Sequence, residues 1–278
     1  MSRREINTAE PTVNAEDRID EYGELLVKRD QYLKEAGSYL TVYTAEFGDL
    51  LTANFELKIE CIKKKKTISY CRRRLNRGLP IDVKRMHEEV EKEMTLYYVQ
   101  LKDMINNTET AKKAENVGQY RYNHAKKIYR RLAKVLHPDI NKLTMENETL
   151  KDIWTRIVEA YHKSNIDELS DLEALASLTL SELGDDAFEI DIPDIEDRIE
   201  RLEHQINEIL TTEPYTYGEI LKDEEKKNQL KEQLQAEHDD YEQYLESLTK
   251  ALDELLAEGG ALIRSIIMYR ADRPAADE

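Results

Sequence analysis

Apolar residues recur at steps of three and four along nearly the whole of this 278-residue chain. That is the period of α-helices that bury one face. Residues 1–14 show no period and carry Pro11, so they read as a disordered start. From Asp17 the stripe Ile19, Tyr22, Leu25, Leu26, Tyr32 and Leu33 predicts a helix with a break at Gly37. A second long helix is expected from Ser38 to Arg77, with Phe47, Leu51, Cys61, Ile68, Cys71 and Leu75 along its seam. Gly78 and Pro80 supply a stop and a restart. Val83, Met86, Val90, Met94, Tyr97, Leu101 and Met104 then give a heptad seam. Residues 15–110 are therefore expected to fold as an antiparallel coiled-coil hairpin, turning at Asn76 to Ile81.

The far end repeats the theme. Ile195, Ile199, Leu202, Ile206 and Ile209 are heptad-spaced, and a break at Thr211 to Gly218 leads to the seam Leu230, Leu234, Tyr241, Leu245, Leu248, Leu252 and Leu255. Residues 194–270 read as a second coiled-coil hairpin, interrupted at Gly259 and Gly260, and 271–278 as a frayed tail. No stretch alternates with the period of a strand. The fold class predicted is all-α, with long coiled-coil helical hairpins flanking a small helical domain at 115–178.

That central stretch carries the sharpest pattern. Ala125, Tyr129, Leu132 and Leu136 form one stripe, while Lys126, Lys127, Arg130, Arg131 and Lys134 fill the opposite face. Pro138 ends this helix, since proline lacks an amide donor and drives His137 out of helical geometry. His137 and Asp139 are thus expected on an exposed turn. A second stripe, Leu150, Ile153, Trp154, Ile157, Ala160 and Tyr161, should pack back as an antiparallel partner helix.

These residues resemble the J domain of DnaJ-type co-chaperones. In that family the second helix reads Tyr-Arg/Lys-Arg/Lys-Leu-Ala ahead of His-Pro-Asp, matched here by Tyr129, Arg130, Arg131, Leu132 and Ala133 and then His137, Pro138 and Asp139. The third helix is matched by Trp154, Ile157, Ala160 and Tyr161. The tripeptide alone carries little; in register with both stripes it carries much. The chain departs from the family in lacking the Tyr-Tyr-x-x-Leu-Gly first helix ahead of residue 115, the Gly/Phe-rich linker and the zinc-binding repeat. Without a first helix, the pair is expected to lean on a coiled-coil hairpin. The resemblance implies that Lys126, Lys127, Arg130, Arg131 and Lys134 dock on an acidic surface of a DnaK-type ATP-driven chaperone. His137, Pro138 and Asp139 would then bias that partner toward ATP hydrolysis.

Composition sharpens this picture. Charged residues make up 36% of the chain and aromatics 7%, the profile of long solvated helices. A net charge of -17 argues against general polyanion binding, so nucleic acid is not an expected partner. Nine basic residues between Lys58 and Arg77 face one acid, Glu60. They read first as a solvated face paired with Glu88, Glu89, Glu91 and Glu93, because a single aromatic residue, Tyr70, does not make the interleaved base-stacking platform that nucleic-acid binding requires. The run Asp167 to Glu200 holds 13 acids and one base, and 179–193 is expected to be an acidic linker. Cys61 and Cys71 lie roughly 15 Å apart on one helix, too far for a disulfide. They read as reduced thiols and the chain as cytoplasmic. No apolar run is long enough to span a membrane.

Enzyme chemistry finds little footing. His87-Glu88-Glu89-Val90-Glu91 begins like a metalloprotease helix but has Glu91 where the second histidine belongs. No phosphate loop or nucleophile motif is present. No enzyme activity, cofactor or metal is expected. The leading reading is a J-domain co-chaperone whose arms reach a client, a partner protein or a second copy. Beside it stand a coiled-coil adaptor in which the J-like segment is only a brace, and a nucleic-acid or anionic-membrane binder using residues 58–77.

Overall fold

The computed structural model describes residues 15–114, 118–183 and 194–271, and these are mostly helical, joined by short turns, with no strand. The chain is all-α. Two compact units divide it: Met1–Leu40 with Glu115–Gly218, and Thr41–Ala114 with Glu219–Glu278. Residues 1–14, expected to be disordered, lie outside the described residues, as does the expected frayed tail 271–278 apart from Ala271, which ends the last helix.

The first helix, α1, runs unbroken from Ala15 to Leu75 and contributes to both units. The break expected at Gly37 is absent. A mid-helix glycine costs only about 1 kcal/mol, and the helix continues across it with Ala36 buried on the preceding turn. The helix stops beyond Leu75 with Gly78 at φ +65°, Gly78 N–H on the Leu75 carbonyl and Leu79 N–H on that of Arg74. That arrangement satisfies the last carbonyls in a left-handed cap that favours glycine.

In the second unit α2 (Val83–Lys113) starts at Asp82, whose carboxylate accepts the Arg85 amide. It runs antiparallel to α1, as the pairs Cys71–Met86, Lys63–Glu91 and Asp49–Lys112 show. Ile59, Val90 and Met94 form the buried seam. At Gly48 an added Cβ would lie 2.5 Å from Thr108 Oγ1, so the two helices approach there at a distance only glycine permits. The basic run is partly neutralised along this seam, through Lys63–Glu91, Lys66–Glu93 and Arg73–Glu89. The last helix, α9 (Glu224–Ala271), lies parallel to α1, pairing Lys231 with Glu46 and the Leu234 carbonyl with Asn54, and placing Tyr244 beside Lys65. It passes through Gly259 and Gly260 without the expected interruption. Glycine weakens a helix but ends one only where a left-handed residue redirects the chain.

The first unit holds α3 (Gln119–Leu136), the one-turn α4 (Leu143–Glu146), α5 (Glu148–His162), α6 (Ile166–Leu183) and α7 (Ile195–Thr211), with the short α8 (Tyr217–Leu221) beginning at its edge. Asn147 caps α5 by accepting the amides of Thr149 and Leu150. The stripes of α3 and α5 face each other, and α6 closes them with Leu169, Leu172, Ala176 and Leu180. This helix runs to Leu183 with Leu180 buried, so residues 179–183, expected to open an acidic linker, belong to the core helix. The acids occupy its outer face, while every third or fourth position is apolar. Residues 184–193 lie outside the described residues.

The coiled-coil partner expected for α7 is α9, yet they belong to different units. Ile199 and Leu202 of α7 pack instead on Tyr22 and Leu26 of α1 and on Ile140. Heptad spacing states that a face must be covered; it does not name the cover. No described helix is long and apolar enough to cross a membrane.

Ile157 is fully buried at the centre of the first core. Replacing it by Ala should cost about 2–5 kcal/mol in urea unfolding. Leu96→Ala, on an exposed surface of α2, should stay within about 0.5 kcal/mol of the parent.

Candidate functional site

The His137-Pro138-Asp139 turn closes α3. The His137 amide still donates to the Ala133 carbonyl, and the His137 carbonyl receives the amides of Ile140 and Asn141. Asn141 steadies the exit, its amide reaching the Val135 carbonyl at 3.1 Å and its oxygen accepting the Leu143 amide. Ile140 is buried against Tyr22 and Leu26 of α1 and Ile199 and Leu202 of α7.

His137 is not on an exposed surface as the sequence leads one to expect. Only 6% of it reaches solvent. Its ring meets Trp154 edge-on at 5.2 Å. Nδ1 accepts the Asp139 amide at 3.1 Å, which assigns the ring proton to Nε2. Nε2 faces α1, 4.0 Å from Asp30 Oδ2 and 3.5 Å from Arg29 Nη2. Pro138 is half-buried and Asp139 exposed, so of the tripeptide it is the Asp139 carboxylate that meets solvent.

The surroundings of that turn come largely from α1. Asp30 accepts the Tyr129 hydroxyl at 2.6 Å and the Arg29 guanidinium at 2.8 Å. Tyr129 stacks on Tyr161, ring centroids 4.0 Å apart, and packs near Trp154 at 5.9 Å. Lys34 is buried; it donates to the Tyr161 carbonyl at 2.6 Å and to Ser164 Oγ at 2.7 Å, with its ammonium over the Tyr161 ring. Leu132, Ala133, Leu136, Ile157 and Ala160 complete the core, joined by Val27 of α1. Residues 100–113, nearer in sequence, belong to α2 in the other unit.

The sequence reading missed Glu24, Arg29, Asp30 and Lys34. A signal was present: Tyr22, Leu26, Asp30 and Lys34 follow one another at steps of four on one helix face. A stripe that turns from apolar to charged without changing face announces buried charges with partners elsewhere.

The cationic face of α3 is already engaged. Arg130 reaches Glu24 at 2.5 Å, Lys134 reaches Glu24 at 3.0 Å, and Arg131 binds Glu173 of α6 through two contacts of 2.7 and 2.8 Å. Lys126 is half-buried and Lys127 exposed. Glu24 and Glu173 are both held below the usual carboxylate range by these cations, although burial opposes the shift at Glu24 most strongly. Among the described residues no group of three or more His, Cys, Asp or Glu is placed to hold a metal ion.

Compared with known proteins, the chain matches no family model, no curated relative and no solved structure.

Two pH effects follow. Burial lowers the His137 pKa and Arg29 adds to that, outweighing the opposite pull of Asp30 and Asp139. Below the ordinary imidazole value of about 6.5 the unfolded chain therefore binds a proton that the folded chain refuses. Stability should fall as pH drops through that window, and His137→Gln should remove this component. Parallel urea midpoints for parent and variant between pH 7 and 5 would overturn it.

Burial also pushes the Lys34 ammonium down to about 8. Between that value and the ordinary lysine range the unfolded chain holds the extra proton, so stability should rise with pH, by at most about 1.4 kcal/mol per unit. Above about 10 the trend should reverse, since Tyr122, Tyr129 and Tyr161 are all raised by burial and keep their protons only when folded. Lys34→Met should flatten the rising limb in urea unfolding from pH 7.5 to 10.

Proposed function

We propose that this chain is a J-domain co-chaperone of the cytoplasm that stimulates ATP hydrolysis by a DnaK-type chaperone. In this reading residues 115–178 are the J-like domain. The helices α1, α2 and α9 of the second unit are coiled-coil arms that bring it to a client or partner protein. The observation that carries the reading is the His-Pro-Asp turn itself. It sits at the end of a basic helix that packs on its partner through Tyr129, Leu132, Trp154, Ile157 and Tyr161, with Asp139 directed to solvent. Docking is a change of partner state, not chemistry on this chain. It needs only contacts stronger with the hydrolysis-competent arrangement than with the alternative.

His137 acts in this scheme from beneath the turn. It receives the Asp139 amide and so sets where the aspartate points. Asp139 and the exposed cations Lys127, Arg130 and Arg131 make the contacts.

A second reading has its own support. A buried His137, wedged between Trp154 and Asp30, is also what a purely structural brace in a coiled-coil adaptor requires. A nucleic-acid or anionic-membrane role for residues 58–77 is weakened by the pairing of Lys63, Lys66 and Arg73 with acids of α2.

Single-turnover ATP hydrolysis by a DnaK-type chaperone separates the first two readings. Addition of the full chain should accelerate it, and Asp139→Asn should reduce the effect by on the order of tenfold or more, since it removes a docking charge. Because Asp139 is exposed, the variant should melt like the parent. Absence of stimulation at any concentration in low salt would leave the adaptor reading standing.

A further inference from the structure

We propose that the His137-Pro138-Asp139 turn is a proton-operated switch with two bonding patterns: neutral His137 accepts the Asp139 amide, and protonated His137 donates instead to the carboxylates of Asp30 and Asp139. The switch needs no partner, so it stands apart from the co-chaperone reading.

The neutral pattern is the one in the structure. Nδ1 accepts the Asp139 amide at 3.1 Å, and the carboxylate of the same residue lies 3.8 Å from that nitrogen, just beyond bonding range. On the other side of the ring Asp30 Oδ2 lies 4.0 Å from Nε2. A neutral ring can accept at Nδ1; an imidazolium carries a proton on both nitrogens and accepts at neither. Protonation therefore breaks the amide contact outright. It also creates two donors, each with a carboxylate about 1 Å beyond hydrogen-bond reach. Asp139 is the part that can move. It is exposed, whereas the ring is buried and meets Trp154 edge-on. Ile140, next in the chain, is held against Tyr22, Leu26, Ile199 and Leu202, which confines the change to the tripeptide.

Charges on every side set where the switch turns. Asp30 from α1 and Asp139 from the turn favour the imidazolium. Arg29 of α1, 3.5 Å from Nε2, opposes it, and Arg198 and Arg201 of α7 line the cleft that Asp139 shares with Arg29. From α3 comes the Tyr129 hydroxyl, which is given to Asp30, and from α5 the uncharged Trp154. Burial is the largest influence and also opposes the charge, so the switch lies below the ordinary imidazole value of about 6.5. In the acid form the Asp139 carboxylate turns from solvent toward the ring. Where that carboxylate docks a partner as proposed above, acid withdraws it.

Trp154 is the only tryptophan in the chain and meets the ring that changes charge. An imidazolium quenches indole emission more strongly than a neutral imidazole, so Trp154 fluorescence reports the switch directly. The full chain is titrated from about pH 7.5 to 4.5, with far-ultraviolet circular dichroism in parallel, for the parent, His137→Gln and Asp139→Asn. The parent should lose emission in one step below about pH 6.5 while its helicity holds. His137→Gln should show no step. Asp139→Asn should keep the step with its midpoint lower by about half a pH unit or more, because one carboxylate that favours the imidazolium is gone. The switch is overturned by a parent without a step, by a step that survives in His137→Gln or by a midpoint unmoved in Asp139→Asn. A step that coincides with loss of helicity overturns it too, since that is unfolding. Should His137→Gln fail to fold at neutral pH, the Asp139→Asn midpoint decides alone.

Discussion

Asp30 is the constraint on which the first unit turns. It occupies an inward position of α1, and a half-buried carboxylate is tolerable only with partners. Tyr129 gives it a hydroxyl, Arg29 a guanidinium, and His137 an imidazole edge. The contacts with Tyr129 and His137 fix the register of α1 against α3, while Arg29 neutralises the carboxylate from within α1. The same register brings Val27 into the core, Glu24 to Arg130 and Lys34 to the end of α5. A pair of apolar residues in place of Asp30 and Tyr129 could be as stable, but it would slide; buried polar partners specify one alignment at the risk of a large loss when one member is removed. The turn is therefore positioned by a helix that precedes it by about a hundred residues of chain.

This explains what could and could not be seen in the sequence. Periodicity locates the helices because one apolar face is a local property, and the α3 and α5 stripes can be read position by position. Pairing is not local. The seam of α7 fits a neighbour such as α9 as well as it fits α1, and Ile199 does not encode Tyr22 as its cover. Residues 179–183 read as the start of an acidic linker, yet they continue α6, whose Leu169, Leu172, Ala176 and Leu180 lie on one side. Gly37, Gly259 and Gly260 read as breaks because propensity is a weak prior, and long helices pass through glycine where packing or length sustains them. The His-Pro-Asp turn was visible; the burial of its histidine was not. It depends on Trp154 and Asp30, which no spacing rule joins to residue 137.

The engaged cations of α3 bear on how docking would work. Each pair with Glu24 or Glu173 is at least partly exposed, and such pairs contribute about 0–1 kcal/mol. Exchanging them for carboxylates of a partner is nearly neutral in energy. The basic face is thus available without being unpaired: the intramolecular acids hold Arg130, Arg131 and Lys134 in extended, ordered positions, lowering the side-chain entropy lost on binding. The exchange would also leave Glu24 and Glu173 to be accommodated, so docking of the proposed kind would be weak and reversible.

The roles within the tripeptide then separate by burial. Asp139 is exposed, with its amide on His137 Nδ1 at 3.1 Å and its carboxylate 3.8 Å from the same nitrogen, whereas His137 itself is buried. Protonating His137 would place a hydrogen on Nδ1, against the Asp139 amide that now donates to it. The charge on the imidazole and the geometry of Asp139 are consequently one variable. A histidine kept neutral beneath the turn is worth its burial cost because only the neutral ring can accept that amide.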